Sequence, residues 1–92
     1  MRISDIIWLP QFIDKIEWKH NVSPHEVEEV LFDKPLFRKV QKGHIPGENL
    51  YSASGKSGRY LIVFFIYKSS HEALIISARD MDNKERRLYD RK

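Results

Sequence analysis

One run of nine residues does most to constrain what this chain can become. Arg59-Tyr60-Leu61-Ile62-Val63-Phe64-Phe65-Ile66-Tyr67 is apolar almost throughout and is bounded by Gly58 on one side and Lys68 on the other. A strand with one wet face alternates polar and apolar residues, whereas a strand covered on both faces does not. The run therefore reads as the central strand of a sheet with material packed on each side. It is far too short to cross a bilayer, which takes ~20 apolar residues in a helix.

The neighbouring segments supply the rest of such a sheet. Leu36 to Lys42, Leu50 to Ser54 and Ala73 to Arg79 have strand character, and turn chemistry separates them. The turns are Gly43 to Glu48 with Pro46-Gly47, then Gly55-Lys56-Ser57-Gly58, then Lys68 to Glu72. Ile3 to Trp8 forms a further short strand. Pro10 suits the first turn of a helix to about His20, with Phe12, Ile13 and Ile16 on its apolar stripe and Asn21 as a left-handed cap. Ser23-Pro24-His25-Glu26 is a capping box that opens a second helix, buried along Val27, Val30 and Leu31 and ended by Pro35. Asp82-Asn83-Lys84-Glu85 is a second box, opening a helix to about Asp90. The expected fold is α+β and a single domain over residues 1–92. It has an antiparallel sheet of four to five strands, two N-terminal helices and one C-terminal helix.

Composition narrows the class. The chain has 92 residues, no cysteine, 41% hydrophobic content and 12% aromatic residues. That content builds one modest core and is too rich for disorder. Without cysteine there is neither a disulfide framework nor a thiolate zinc site, and the four histidines are too dispersed to form a metal-ligand pattern. We expect no metal, no cofactor and no membrane association, and a cytoplasmic protein.

The formal net charge of +3 conceals an asymmetry. Residues 1–33 carry seven acids against three bases, a net of −4; residues 34–68 carry seven bases against Glu48 alone, a net of +6. A basic middle is what a polyanion-binding face requires. The plainer alternative is a solvated surface whose Lys and Arg guard strand edges.

Several short motifs follow one another along the chain, which has no internal repeat. Trp8-x-Pro10 is followed by Lys19-His20-Asn21-Val22-Ser23, then Phe32-Asp33-Lys34-Pro35, then His44-x-x-Gly47-Glu48. Gly58-Arg59 precedes the apolar strand, Ile75-Ile76-Ser77-Ala78-Arg79 follows it, and Glu85-Arg86 and Tyr89 close the set. Together they resemble the BrnT group of RelE-like ribonuclease toxins, over about Trp8 to Tyr89. The resemblance implies a RelE-like fold and metal-free RNA cleavage in a bacterial toxin. It also implies silencing by a cognate antitoxin of the BrnA kind, a ribbon-helix-helix protein, in a hetero-oligomer. Leu9, Phe12 and Leu50 stand where that family usually has Asp, Lys and Arg.

Metal-free RNA cleavage uses the 2′-hydroxyl against the adjacent phosphate. It needs a base, an acid, and fixed cations where negative charge builds. Arginine suits the last task because its planar fork stays charged and grips phosphate in two places. If Tyr67 pairs with Ala73, simple counting sets Leu61 opposite Arg79 and puts Arg59 on the same face, diagonal to Arg79. The two could then hold one phosphate. A slip of one residue would send them to opposite faces, and the alternative is that both pair with carboxylates such as Asp80 or Asp82.

His20, in the last turn of its helix, reads either as a proton shuttle or as a packed, capping histidine. The expected catalytic set is thus His20, Arg59 and Arg79. Lys19, Lys39, Lys42, His44, Arg86 and Tyr89 are expected to contact RNA, with Arg86 and Tyr89 one helical turn apart. Trp8 and Trp18 read as core, His25 and His71 as surface, and Glu85 as a capping partner. The expected function is a toxin that cleaves single-stranded RNA or mRNA. The alternative is an inactive relative that only binds RNA or the antitoxin.

Overall fold

The structure, a computed structural model, describes residues 1–91. In chain order it contains β1 (Asp5–Ile7), α1 (Pro10–His20), α2 (Pro24–Phe32), β2 (Leu36–Gln41), β3 (Asn49–Lys56), β4 (Tyr60–Tyr67), β5 (Glu72–Asp80) and α3 (Asn83–Asp90). The five strands form one sheet in the order β1-β5-β4-β3-β2. The apolar run is β4, at the centre.

The capping signals act as their chemistry dictates. Asn21 closes α1 in the left-handed region (φ 54°, ψ 41°), its backbone N–H donating to Glu17 and Ile16 carbonyls. The Ser23–Glu26 and Asp82–Glu85 boxes are both fully formed, so α2 and α3 each begin with the N–H groups of the capping residue and of the third helical residue satisfied. The α3 box holds a helix with no buried residue, so this cap matters more than usual.

β2 to β5 are antiparallel neighbours, as expected, and β3 runs to Lys56, beyond the expected Ser54. β1 departs from the all-antiparallel expectation: it lies parallel to β5, pairing Asp5 with Glu72 and Ile7 with Leu74. The chain passes from β1 straight into α1, which packs on β5.

The sheet has two unlike faces. On one, Leu61, Val63 and Phe65 of β4 join Ala53, Ala73, Ile75 and Ala78 beneath Ile16 of α1, Val22, and Val27, Val30 and Leu31 of α2. Small residues at Ala53, Ala73 and Ala78 let the helices sit close. Gly55 is part of the same arrangement, since a Cβ there would lie 3.1 Å from a Val30 methyl. Phe65 anchors this core, with Tyr51 stacked on it and Phe37 edge-on, each at 6.1 Å between centroids. Trp8 packs against the cluster, as expected. Trp18 does not: it points outward from α1 and is 92% exposed. Two residues beyond Ile16 along a helix is more than half a turn round, which takes the indole away from the sheet.

The other face is covered only by α3, and only at one end. Tyr60, Ile62, Phe64 and Ile66 of β4 point to it.

Candidate nucleic-acid interface

The register between β4 and β5 decides which side chains share a face. Tyr67 pairs with Ala73 as counted, but the ladder shifts between Phe64 and Phe65. Phe65 faces Ile75 and Phe64 faces Ser77, leaving Ile76 as the extra residue of a β-bulge. Beyond it every pair is displaced by one, so Arg79 lies opposite Ile62 and Asp80 opposite Leu61. The expected pairing of Leu61 with Arg79 is therefore corrected, and the shared phosphate clamp goes with it. Arg59 and Arg79 stand on opposite faces of the sheet.

Their partners follow from this. Arg59 turns to the helix layer, where Nε is 3.1 Å from Glu26 Oε2 and a terminal nitrogen donates to the Asn21 carbonyl. Asp80 is 3.5 Å away on its other side. Partial burial works to raise the Glu26 carboxyl, but the Ser23 N–H and the Arg59 guanidinium outweigh it and hold it below its ordinary value. Arg59 thus ties the α1–α2 corner to the start of β4. Arg79 turns to α3, where both its terminal nitrogens donate to Glu85 at 2.8 Å. Glu85 accepts from the Asp82 N–H as well, so one carboxylate both caps α3 and grips Arg79. The Arg79 bond is the largest influence holding Glu85 below the ordinary carboxylate value.

On Arg79's face, cross-strand pairing lays out two rows. One runs Arg38, Ser52, Phe64, Ser77; the next runs Leu36, Ser54, Ile62, Arg79. Between this face and α3 lies a groove of about 360 Å³, lined by Arg38, Lys39, Val40, Ser52, Ser54, Ile62, Phe64, Glu85 and Leu88. A second hollow continues it, with Arg38, Lys84, Arg87, Leu88 and Arg91 around about 260 Å³. A third, toward the β2–β3 loop, is lined by Lys42, His44, Leu50, Ile66 and Ile76 among others.

The side chains of Arg38, Lys39, Lys42, Lys84, Arg87 and Arg91 are exposed and form no ion pair or hydrogen bond among the described residues. Glu48 and Glu85, the carboxylates lining these hollows, are engaged by Lys68 and Arg79. Ser52 and Ser54, buried on the floor, have hydroxyls that likewise find no partner among the described residues. A basic, open, partly apolar trough with spare hydroxyls can hold a phosphate backbone while bases lie on Phe64 and Leu88.

Beside the groove, Tyr60 gathers the C-terminal residues singled out in the sequence. Arg86 lies 3.9 Å from its ring centroid, Lys56 4.5 Å, and Tyr89 meets it edge-on at 6.0 Å. Of the expected RNA contacts, Lys42 and His44 line the open face, Lys39 meets it only at the β2 edge because its ladder partner Tyr51 belongs to the other face, and Arg86 and Tyr89 gather at Tyr60. Lys19 and His20 lie on the helix layer and line none of these hollows. Sequence reasoning missed Arg38, Lys84, Arg87 and Tyr60. Arg87 was within reach, since it follows Lys84 by three residues on one helix face. Arg38 was not, because strand alternation alone does not say which of Arg38 and Lys39 meets α3. Among the described residues no group of His, Asp or Glu side chains is placed to hold a metal ion.

Comparison with known proteins adds two findings. The family described as "Ribonuclease toxin, BrnT, of type II toxin-antitoxin system" matches residues 14–85. None of the curated proteins matches.

Proposed function

The chain belongs to the BrnT family of ribonuclease toxins of type II toxin–antitoxin systems, and on that premise we propose that it cleaves single-stranded RNA, without a metal, on the open face of its sheet. The observation that carries this reading is the line of unpaired cations along the α3 groove, continuous with Arg79 at one end of the floor.

In this proposal Arg38, Lys84 and Arg87 draw in the phosphate backbone and hold its register. Arg79 exchanges one or both Glu85 oxygens for oxygens of the scissile phosphate as negative charge develops there, which places it in the catalytic step. His44 lines this face at the β2–β3 end, about four strand positions (~13 Å) from Arg79, and holds the RNA strand beyond the scissile phosphate. Lys39 and Lys42 guide the strand past the β2 edge. Arg59 and His20, on the far side, serve the fold. The protein partner that a type II system implies would silence the enzyme by laying an acidic segment along the groove. We take it to be a BrnA-like ribbon-helix-helix antitoxin, acting with the toxin in the cytoplasm.

The test is cleavage of end-labelled single-stranded RNA in the presence of chelator. Wild-type protein is expected to cut, and Arg38→Ala and Arg79→Ala to slow cutting by about 10²-fold, the usual scale for losing one charge-stabilising donor. Arg59→Ala should cut at the wild-type rate per folded molecule. Variants that all cut like wild type would overturn the site assignment.

A second reading has its own support. Both arginines are held by carboxylates of their own chain, Arg59 by Glu26 and Arg79 by Glu85. A catalytically inactive relative that binds RNA or antitoxin through the same groove fits that arrangement. Salt-sensitive RNA binding with intact product would select it.

A further inference from the structure

The helix layer faces solvent with chemistry opposite to that of the groove. On α1 the direction away from buried Ile16 holds Asp14, Glu17 and Trp18; on α2 the direction away from Val27, Val30 and Leu31 holds His25, Glu28, Glu29 and Phe32. Each helix therefore presents an exposed aromatic ring with carboxylates near it: on α2 Phe32 follows Glu28 and Glu29 by one turn, and on α1 Trp18 follows Asp14 by one turn and Glu17 directly. Trp18 is 92% exposed and Phe32 58%. Asp14 and Glu17 frame a shallow hollow against Trp18. Lys15, as far round α1 from Ile16 as Glu17 but on the other side, is half-buried and lies over Phe12 at 5.5 Å, and Lys19 sits nearer the sheet. On α2 the sole basic group is His25, 3.1 Å from Glu29 and mostly exposed.

We propose that this outer face of α1 and α2 is a docking surface for a basic, arginine- and lysine-bearing segment of a protein partner, with Trp18 as its anchor. Three considerations converge. An indole left almost wholly in water has large apolar area unburied, and Trp is the residue type most concentrated at energetic centres of interfaces. Aromatic faces with carboxylates beside them are the chemistry that recognises guanidinium and ammonium groups, through cation–π contact and ion pairing together. Carboxylates on both helices repel a nucleic acid, so the polyanion that suits the groove does not suit this face.

A second copy of this chain would have to offer its own groove as the basic element. That contact is head-to-tail rather than two-fold, and it would occupy the cations that RNA needs. A basic segment of a separate protein leaves the groove cations free, so the toxin can engage it with RNA already in the groove.

The probe is an oligo-arginine peptide added to the purified full-length protein, followed by tryptophan emission and calorimetry. Saturable binding with a shift in indole emission is expected. Trp18→Ala, and separately Glu28→Gln with Glu29→Gln, should each weaken it about tenfold, the equivalent of one good contact. These positions are exposed, so the far-ultraviolet dichroism and the RNA affinity of each variant should match wild type. Peptide binding that is indifferent to Trp18→Ala overturns the proposal. So does concentration-dependent self-association in sedimentation that Trp18→Ala abolishes, because the occupant would then be another copy of the chain. RNA cleavage enters neither outcome, so failure here is distinct from failure of the groove assignment.

Discussion

At the scale of single residues, two arginines that look alike in sequence have been given different tasks. Arg59 satisfies the Asn21 carbonyl at the end of α1 and the Glu26 carboxylate at the start of α2. Removing it leaves both without that donor. Arg59→Ala is expected to lower stability by about 1–2 kcal/mol, read as a shift in the denaturant midpoint at unchanged slope. Glu26 and Glu85 also make a pH prediction. Both carboxyls sit below their ordinary value of 4.5 in the folded chain, so the folded state favours their ionised form. Their contribution is fully present above the ordinary carboxylate range and is lost as pH falls through the lowered folded values. Thermal melts should therefore drop as the solution is acidified through that range, and Glu26→Gln with Glu85→Gln should flatten the drop. A melt that holds steady on acidification in the wild type would contradict the assignment.

At the scale of elements, the local signals were the most readable. Asn21, Ser23–Glu26 and Asp82–Glu85 mark helix ends because their side chains or left-handed tolerance answer a need of the adjacent backbone, and that need is local. The central position of β4 was readable for a similar reason: no half-exposed strand could carry its composition. The β5 bulge was not. Ile75, Ile76 and Ser77 contain no glycine or proline to mark it, and its position depends on how β5 packs against β4. Trp18 was readable in principle from its angle to Ile16, but residue type spoke for burial and the helical angle against it. The β2–β3 loop, which carries Lys42 and His44 to the open face, depends on one small residue. A Cβ at Gly43 would lie 1.7 Å from the Glu48 carbonyl oxygen. Gly43→Ala should cost about 1–3 kcal/mol and increase amide hydrogen exchange through residues 42–48. Unchanged exchange there would mean the loop does not need the close approach.

At the scale of the whole molecule, the charge asymmetry along the chain becomes an asymmetry across the sheet. The acid-rich first third folds into the helix layer, and the basic middle, with α3, lines the open side. The family and the α+β plan were legible from ordered motifs because those motifs are mostly turns, caps and strand ends. The groove was less so, because it is assembled from β2, β3, β4 and α3, and no short stretch of sequence contains it. A field of this kind should make RNA binding depend steeply on salt. The logarithm of the affinity should fall linearly with the logarithm of salt concentration, and Arg38→Ala or Arg87→Ala should each reduce the slope by about 1. Parallel lines for wild type and both variants would place the RNA elsewhere.

Strands count in twos. Up to Ile75 this ladder keeps its count from the β4–β5 turn, and one supernumerary isoleucine then changes odd to even for all that follows. Had Ile76 taken a place in the ladder opposite Phe64, Arg79 would emerge beside Arg59 among carboxylates already taken, and the trough would lose the guanidinium at its α3 end. Which surface of the sheet receives Arg79 is in that sense a matter of parity, decided by a residue that has no partner in the ladder.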